Sequence, residues 1–232
     1  MIPQAARSLP CMLADQYILS SVLEEKEDSI VYEATQKDLQ REVLVESLRV
    51  DAATDEEKVG RFFETYRLQA RIRHSSLAAP LEVVEYEGTW HVARERIHGE
   101  PLDAMVNAGR TLSAEMVCGL LQQLCYMHLY FDMERIATVP FSPEHTYLMD
   151  FGGYRFDHMA VAGVRRPGET QRQLAAVAAV VEPLLDRNSM FTPTLLQMMD
   201  QIRNTRSWSP ISPAVLDEEL IRLQMEMIHH KK

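Results

Sequence analysis

The sequence predicts an α+β fold with two lobes, in which a small antiparallel sheet with one helix is followed by a mainly helical part. Two observations support this prediction. Before Gly99, short runs of residues alternate between apolar and polar side chains, whereas after Gly99 apolar residues recur at helical spacing. The 232 residues are enough for one large domain or two small domains, each with a proper core.

Five strands and one helix are predicted in the first part of the chain. The alternating runs that predict strands are Tyr17–Leu23, Ser29–Ala34, Arg41–Leu48, Leu81–Tyr86 and Thr89–Arg94. The helix, Val59–His74, carries apolar residues near the 3.6-residue period, and an acidic loop, Asp51–Lys58, precedes it. We expect residues 1–14 to form a loose N-terminal extension.

Helices dominate after the break at Gly99-Glu100-Pro101. They are predicted at Leu102–Ala108, from the N-cap Ser113 to Phe131, at Gln173–Leu185, at Thr194–Arg203, and from Ser212-Pro213 to Met227. Two strands, Thr146–Met149 and Tyr154–Asp157, are predicted to form a hairpin around a tight turn at residues 150–153. Residues 229–232 are expected to be a disordered polar tail.

The composition restricts the function. A net charge of −10 and a pI near 5.3 argue against a surface for nucleic acid or for anionic membranes, which needs clustered Lys and Arg. No window approaches the roughly 18 apolar residues of a membrane span, and the first residues lack a signal-peptide pattern. Cys118 and Cys125 lie two helical turns apart in an apolar pattern, which is typical of core thiols in a reducing compartment. We therefore expect a cytoplasmic protein.

Several segments together resemble the framework of one enzyme family. In chain order they are VYEA at 31–34, REVLV at 41–45, a helical segment at 61–74 that ends in His, ERIHGEPL at 95–102, and Pro143. Their order and spacing resemble the bacterial Ser/Thr protein-kinase family over about residues 17–226. The resemblance implies a protein-kinase-like two-lobe fold, with an N-lobe at 15–98, a hinge at Glu95, Arg96 and Ile97, and a helical C-lobe at 99–228 that lacks a full activation segment.

The resemblance also identifies the positions that would bind the nucleotide phosphates, and all of them are replaced. The glycines of the phosphate-covering loop fall on Glu24, Lys26 and Ser29. The lysine that grips the phosphates falls on Glu46, which reverses the charge. The helix glutamate that pairs with this lysine falls on Thr65, or on Glu64 if the register is shifted by one residue.

The catalytic loop is replaced as well. Its catalytic base falls on Pro140, its lysine on Ser142 and its metal-binding asparagine on His145. The metal-binding D-F-G motif falls on His158-Met159-Ala160. The letters D-F-G themselves, at residues 150–152, come too early in the chain and fall on the predicted hairpin turn, where Asp and Gly are favoured.

These replacements predict that the chain is not an enzyme but a truncated pseudokinase. We expect a protein-binding scaffold or allosteric regulator with an unidentified protein partner, no cofactor and no binding of ATP or Mg²⁺. Two alternatives stay open. The chain would be an atypical nucleotide-binding transferase if a replacement cation holds the phosphates, and the candidates are Lys26, Lys37, Arg41 and Arg155. It would otherwise be a purely structural subunit.

Two further hypotheses concern single sites. His145 and His158 fall on the two metal-ligand positions and, with Glu46 or Asp157, would suit Zn²⁺ rather than Mg²⁺. The alternative is that they are ordinary polar residues. Arg165 and Arg166 lie in the shortened activation segment, where they would dock an acidic or phosphorylated partner. The alternative is that both arginines are simply solvated charges without a binding role.

Overall fold

The computed structural model describes residues 8–139, 141–157, 160–164, 166, 168–204 and 212–230. The chain divides after Ile97 into two compact units. Among its described residues, the first unit contains one sheet and one α-helix, whereas the second unit is mainly helical. The predicted α+β class is therefore confirmed.

The first unit is built on a six-stranded antiparallel sheet. Its strands are β1 (Cys11–Leu13), β2 (Tyr17–Glu25), β3 (Ser29–Gln36), β4 (Arg41–Leu48), β5 (Pro80–Tyr86) and β6 (Thr89–Glu95). Their order across the sheet is β1-β2-β3-β4-β6-β5, so β4 has a neighbour on each side. The sequence predicted five of these strands and missed β1, which lies in the expected N-terminal extension.

Helix α1 (Glu56–Arg71) connects β4 to β5 and begins earlier than predicted. The carboxylate of Asp55 accepts hydrogen bonds from the amides of Glu57 and Lys58 and so caps the helix. Glu56 and Glu57 occupy the first turn, where the helix dipole favours negative charge. The second half of the predicted acidic loop is therefore the start of a helix.

One face of the sheet forms the core of the first unit. Because successive residues of a strand point to opposite faces, alternate positions of β3 and β4 contribute to it. The buried residues of this core are Leu13, Tyr17, Leu19, Ile30, Tyr32, Ala34, Val43, Val45 and Ala93. The intervening residues, such as Glu46 of β4, point to the opposite face.

The second unit contains five helices and two small sheets among its described residues. The helices are α2 (Leu102–Asn107), α3 (Ala114–Met133), α4 (Glu169–Val181), α5 (Thr192–Arg203) and α6 (Pro213–His230). The strands are β7 (Glu100–Pro101), β8 (Ile136–Thr138), β9 (Thr146–Leu148), β10 (Tyr154–Phe156) and β11 (Ala160–Val164). The sheets have the orders β10-β9-β7 and β11-β8.

Helix α3 is central to the packing of the second unit. Ser113 caps it as predicted, and many of its apolar side chains, including Leu120 and Leu124, are fully buried. The thiols of Cys118 and Cys125 are buried in it, and burial raises the pKa of each to about 12. Both cysteines are free, as expected of core thiols.

The predicted hairpin of β9 and β10 is confirmed. Its turn is closed by a hydrogen bond of 2.8 Å from the Gly152 amide to the Met149 carbonyl, and Gly152 has a positive φ of 85°. The letters D-F-G therefore fall on a turn. The sequence missed the short strands β7, β8 and β11. Among the helices that the structure describes, none is both long and apolar enough to cross a membrane.

Candidate functional site

Glu46 lies on β4, an interior strand of the six-stranded sheet, and its side chain is buried. Glu46 pairs with Val31 of β3 on one side and with Val92 of β6 on the other. Only 5% of Glu46 is exposed. A carboxylate in this setting requires strong hydrogen-bond donors or cations, because burial without partners is costly for a charge.

Three side chains donate hydrogen bonds to the Glu46 carboxylate. The Ser29 hydroxyl lies 2.6 Å from Oε1, while the Tyr66 hydroxyl and the Lys26 ammonium group lie 2.6 Å and 3.1 Å from Oε2. Lys26 lies in the turn between β2 and β3, and Ser29 is the first residue of β3. The Lys26 amide closes this turn by donating to the Ser29 carbonyl at 2.9 Å. Tyr66 comes from α1, where Phe62 packs edge-on against its ring at 5.0 Å.

These partners determine the charge of Glu46. Burial by itself would raise the pKa of Glu46, but the positive charges of Lys26 and Arg94 and the two hydroxyl hydrogen bonds outweigh burial and lower the pKa to about 2. Glu46 is therefore ionised at neutral pH. We call Glu46, Lys26, Ser29, Tyr66 and Arg94 the Glu46 cluster.

In the Glu46 cluster, one carboxylate faces two cations, Lys26 and the buried Arg94. A second carboxylate, that of Glu24, lies 3.8 Å from the Lys26 ammonium, although 39% of its side chain is exposed to solvent. The Lys26 side chain is 24% exposed and can thus be approached by an anion from outside.

The structure brings the predicted phosphate-loop residues to one place. Ser29 and Lys26 both contact Glu46, and Glu24 contacts Lys26. The side chain of α1 that reaches Glu46 is that of Tyr66, the residue after Thr65. The sequence analysis missed Tyr66 and Arg94, because their roles depend on contacts between elements that are distant in the chain.

The predicted hinge residues are fixed to the sheet of the first unit. Arg96 lies 2.7 Å from Glu33 of β3 and 3.8 Å from Glu42 of β4. The Ser21 hydroxyl donates to the same Glu33 carboxylate at 2.5 Å. Glu95 ends β6, and Ile97 is buried. The segment that the resemblance identifies as the hinge thus has defined polar contacts within its own unit.

In the second unit, two side chains of α4 hold the segment at the predicted catalytic loop. Glu169 Oε1 accepts hydrogen bonds from the amide and the hydroxyl of Thr138, at 2.8 Å and 2.7 Å. Gln173 accepts from the Phe141 amide at 2.7 Å and donates to the Val139 carbonyl at 2.8 Å. We call Glu169 and Gln173 the loop clamp, since they bind the backbone on both sides of position 140.

The next residues of this loop are ordered by short-range contacts. The Thr146 hydroxyl donates to the Ser142 carbonyl at 3.0 Å. His145 Nδ1 lies 4.0 Å from a carboxylate oxygen of Asp157, and the Asp157 amide donates to the His145 carbonyl at 2.8 Å. His145 and Asp157 are thus neighbours, but the contact between their side chains is too long for a hydrogen bond.

Three predicted site residues, Pro140, His158 and Arg165, lie outside the described residues. The zinc hypothesis, which needs His158, therefore stays a prediction. Within the described part of the chain, no group of three or more His, Cys, Asp or Glu residues could hold a metal ion. Arg166 is exposed, and its amide donates to Glu169 at 2.9 Å. Its proposed role in partner docking is not tested by this contact.

Comparisons with known proteins agree with this architecture. A probable serine/threonine-protein kinase of Streptomyces coelicolor is 27% identical over 187 residues, which cover 75% of this chain and 27% of that protein. The probable serine/threonine-protein kinase PknB of Corynebacterium glutamicum is 30% identical over 118 residues, covering 49% of this chain and 18% of that protein. The chain thus spans less than a third of either relative's length. No family model matches.

The fold is also found among solved structures. The kinase domain of Mycobacterium tuberculosis PknI superposes with a TM-score of 0.65 at 15% identity, covering 94% of this chain and 99% of that domain. The predicted resemblance to bacterial Ser/Thr protein kinases and the predicted kinase-like fold are therefore confirmed.

The same comparisons correct one prediction. Replacement of the catalytic positions led us to predict that the chain is not an enzyme. That prediction is wrong, because both relatives are named as kinases and the matched structure is a kinase domain, all of which point to a kinase enzyme. The prediction failed because each replaced position was considered without the side chains that surround it in the fold. Glu46 reverses a charge in the sequence, but the structure places a lysine and an arginine beside it.

Proposed function

We propose that the chain, which resembles bacterial Ser/Thr protein kinases in sequence and fold, is an atypical nucleotide-dependent phosphotransferase that holds the nucleotide phosphates through Lys26. The observation that supports this proposal most strongly is the contact of 3.1 Å between the Lys26 ammonium and Glu46. In the family, a lysine at the position of Glu46 grips the phosphates. Here the turn between β2 and β3 supplies the ammonium group next to that position.

The charges of the Glu46 cluster support this role. Glu46 is ionised and hydrogen-bonded by Ser29 and Tyr66, so it fixes the position of the Lys26 ammonium without being able to accept the proton. Buried Arg94 adds a second positive charge. A phosphate group that approaches the exposed side of Lys26 would therefore meet a preorganised cation, which costs less to bind than a mobile one.

Phosphoryl transfer depends mainly on positioning and on electrostatic stabilisation. A bond forms between the acceptor oxygen and the terminal phosphorus while the bond to the nucleoside diphosphate breaks, and the acceptor proton is released to solvent. Lys26 would neutralise charge on the phosphate oxygens. The loop clamp would hold the backbone of Thr138, Val139 and Phe141 in place. His145 offers an imidazole nitrogen where Mg²⁺ prefers oxygen ligands, so it does not fit the family's magnesium site. No step through a metal is proposed.

A phosphotransfer assay tests the proposal. Purified protein is incubated with terminally labelled ATP and generic protein acceptors, in buffers with Mg²⁺ or Mn²⁺. Label is expected in the acceptor or in the chain itself for the wild type and for Lys37→Met, which changes an exposed lysine of another turn. Lys26→Met is expected to lower the rate by about a hundredfold or more. The absence of transfer by the wild type, or equal rates in the two variants, would contradict the proposal.

A protein-binding regulatory role is the second candidate function, and it is compatible with the first. It is favoured by three large apolar side chains on α6, Ile221, Met225 and Ile228, each of which is at least 41% exposed. Their spacing places them along one strip of the helix, and such a strip is a common protein-interaction surface. The first partner to test is a second copy of the chain. Light scattering should detect a dimer that Met225→Glu dissociates, whereas a monomeric wild type would exclude self-association through this strip.

A further inference from the structure

A groove lies on the surface of the first unit, along α1 and beside β6. It has a volume of about 410 Å³. The residues that shape it are Glu56, Gly60, Phe63, Glu64 and Arg67 of α1 and Trp90 of β6, and we call it the α1 groove. None of these residues belongs to the Glu46 cluster.

The apolar part of the α1 groove is an aromatic pair. The rings of Phe63 and Trp90 meet edge-on, with their centroids 4.8 Å apart. Both residues are only partly buried, so part of each ring remains open to the groove. The Arg67 guanidinium lies 5.6 Å from the centre of the Phe63 ring. Aromatic rings that are held in place but left partly open provide contact area for another large apolar side chain at little entropic cost.

Gly60 opens the groove between these rings and the start of α1. A glycine within a helix is unfavourable relative to alanine, and here no turn or positive φ requires it. No atom lies within 4 Å of the position that a Cβ would occupy on Gly60. The absent side chain therefore leaves an open space on the helix surface, one turn before Phe63, into which another side chain or backbone could fit.

The charged residues of the groove favour a basic ligand. Glu56 and Glu64 are exposed on its rim. The two cations closest to them in sequence are already paired, since Lys58 lies 2.6 Å from Asp28 and Arg61 lies 3.1 Å from Glu57. The guanidinium of Arg67 is placed over Phe63. Two carboxylates thus line a groove that contains one arginine, in a chain whose net charge is −10.

We propose that the α1 groove is a docking site for a basic segment of a partner protein. One large apolar side chain of that segment packs on Phe63 and Trp90 in the space above Gly60. Lysine or arginine residues on either side of it meet Glu56 and Glu64. This combination of a central apolar anchor and a charged rim is typical of protein–protein contacts. The inference does not depend on nucleotide binding at Lys26.

The fluorescence of Trp90 provides a direct measurement. The chain contains two tryptophans, and Trp208→Phe leaves Trp90 as the single emitter. The probe is a short synthetic peptide with lysines and arginines on both sides of a central Phe-Leu pair. One control peptide replaces the Phe-Leu pair by two alanines, and another replaces the basic residues by glutamates. We expect the first peptide alone to shift the Trp90 emission in a saturable manner.

Two glycine variants test the location of the site. Gly60→Leu fills the open space above Gly60 and suits a helix, so the protein should fold normally. Gly119→Leu is the matched control, because Gly119 also lies in a helix with no atom near its missing Cβ, but in the second unit. Gly60→Leu is expected to weaken peptide binding by about tenfold or more, and Gly119→Leu to leave it unchanged. Glu64→Lys should also weaken binding.

Three results would overturn the proposal. In the first, Gly60→Leu binds the peptide as tightly as the wild type does. In the second, the alanine control peptide binds as tightly as the Phe-Leu peptide, which would indicate charge attraction without an anchor. In the third, the Trp90 emission does not change at peptide concentrations up to about 1 mM, a limit that corresponds to very weak binding.

Discussion

The ammonium group of Lys26 lies 3.1 Å from the buried carboxylate of Glu46, on an interior strand of the sheet. Together with Arg94, Lys26 balances a negative charge that would otherwise repel phosphate groups. The two cations in turn depend on the Glu46 carboxylate to compensate their charge. Removing one partner of a buried ion pair leaves an uncompensated charge, which is strongly destabilising. Each variant of the cluster must therefore be compared with its own unliganded state.

The hydroxyl of Tyr66 is expected to stabilise the first unit through its bond of 2.6 Å to Glu46. Tyr66→Phe keeps the ring but removes a donor to a buried, ionised carboxylate. It should lower the free energy of unfolding by about 1.5–3 kcal/mol. Urea unfolding in the Trp208→Phe background, followed by Trp90 fluorescence, measures the change, and Tyr130→Phe in the second unit is the control. An additive effect in the Glu46→Gln background would show that the two side chains are not coupled.

The stability of the first unit should depend on pH through Glu46. Its pKa is about 2 in the folded chain against 4.5 ordinarily, so its contribution is fully present above pH 4.5 and is lost as the pH falls towards 2. This difference in pKa corresponds to a contribution of roughly 3 kcal/mol to the free energy of unfolding. Unfolding of the wild type and of Glu46→Gln should therefore differ most near neutral pH and converge in acid. A difference that stays constant between about pH 6 and pH 3 would contradict this account.

The loop clamp should control local opening of the backbone at Thr138, Val139 and Phe141. Glu169 accepts hydrogen bonds from two groups of Thr138 and from the Arg166 amide, and Glu169→Ala would leave all three without this acceptor. We expect a loss of about 2 kcal/mol in local stability and faster amide hydrogen exchange at Thr138. Glu182→Ala, which removes a partly exposed partner of Arg203, is the control. Unchanged exchange at Thr138 in Glu169→Ala would show that the clamp does not hold the loop.

Gly99 should not tolerate a side chain. A Cβ at this position would lie 2.8 Å from the Leu148 carbonyl oxygen and 3.0 Å from the Met149 sulfur. Since the oxygen is backbone, β9 must move away from β7, and we expect Gly99→Ala to cost about 1–3 kcal/mol. Gly119→Ala has open space and should instead stabilise α3 by about 0.5–1 kcal/mol. Calorimetry of both variants checks this, and equal stabilities would refute the predicted close contact.

The sequence predicted the long elements because their patterns are local. The five alternating strands β2 to β6 and the helix α3 with its cap at Ser113 were all identified. The missed strands β1, β7, β8 and β11 have two to five residues, too few for alternation to be distinguished from chance. The start of α1 was missed because Asp55 was assigned to an acidic loop, although acidic residues are favourable at a helix N-terminus.

The candidate site was predictable only in part. Alignment of motifs placed Glu46, Lys26 and Ser29 in the same region. Their mutual contacts, and those of Tyr66 and Arg94 with Glu46, arise from packing between residues 17 or more positions apart in the chain. Sequence position alone showed a reversed charge at Glu46, whereas the local charge depends also on Lys26 and Arg94 beside it and on Glu24 beside Lys26.

A thermal-shift titration with ATP and ADP, with and without Mg²⁺ and Mn²⁺, tests the central claim most directly. A ligand at about 100 times its dissociation constant should add about 2.7 kcal/mol to the stability of the folded chain. We predict this stabilisation for the wild type, Lys37→Met and Lys26→Arg, and its loss in Lys26→Met, each relative to the unliganded variant. No shift in the wild type, or an equal shift in Lys26→Met, would contradict the assignment of Lys26 as the phosphate-binding cation.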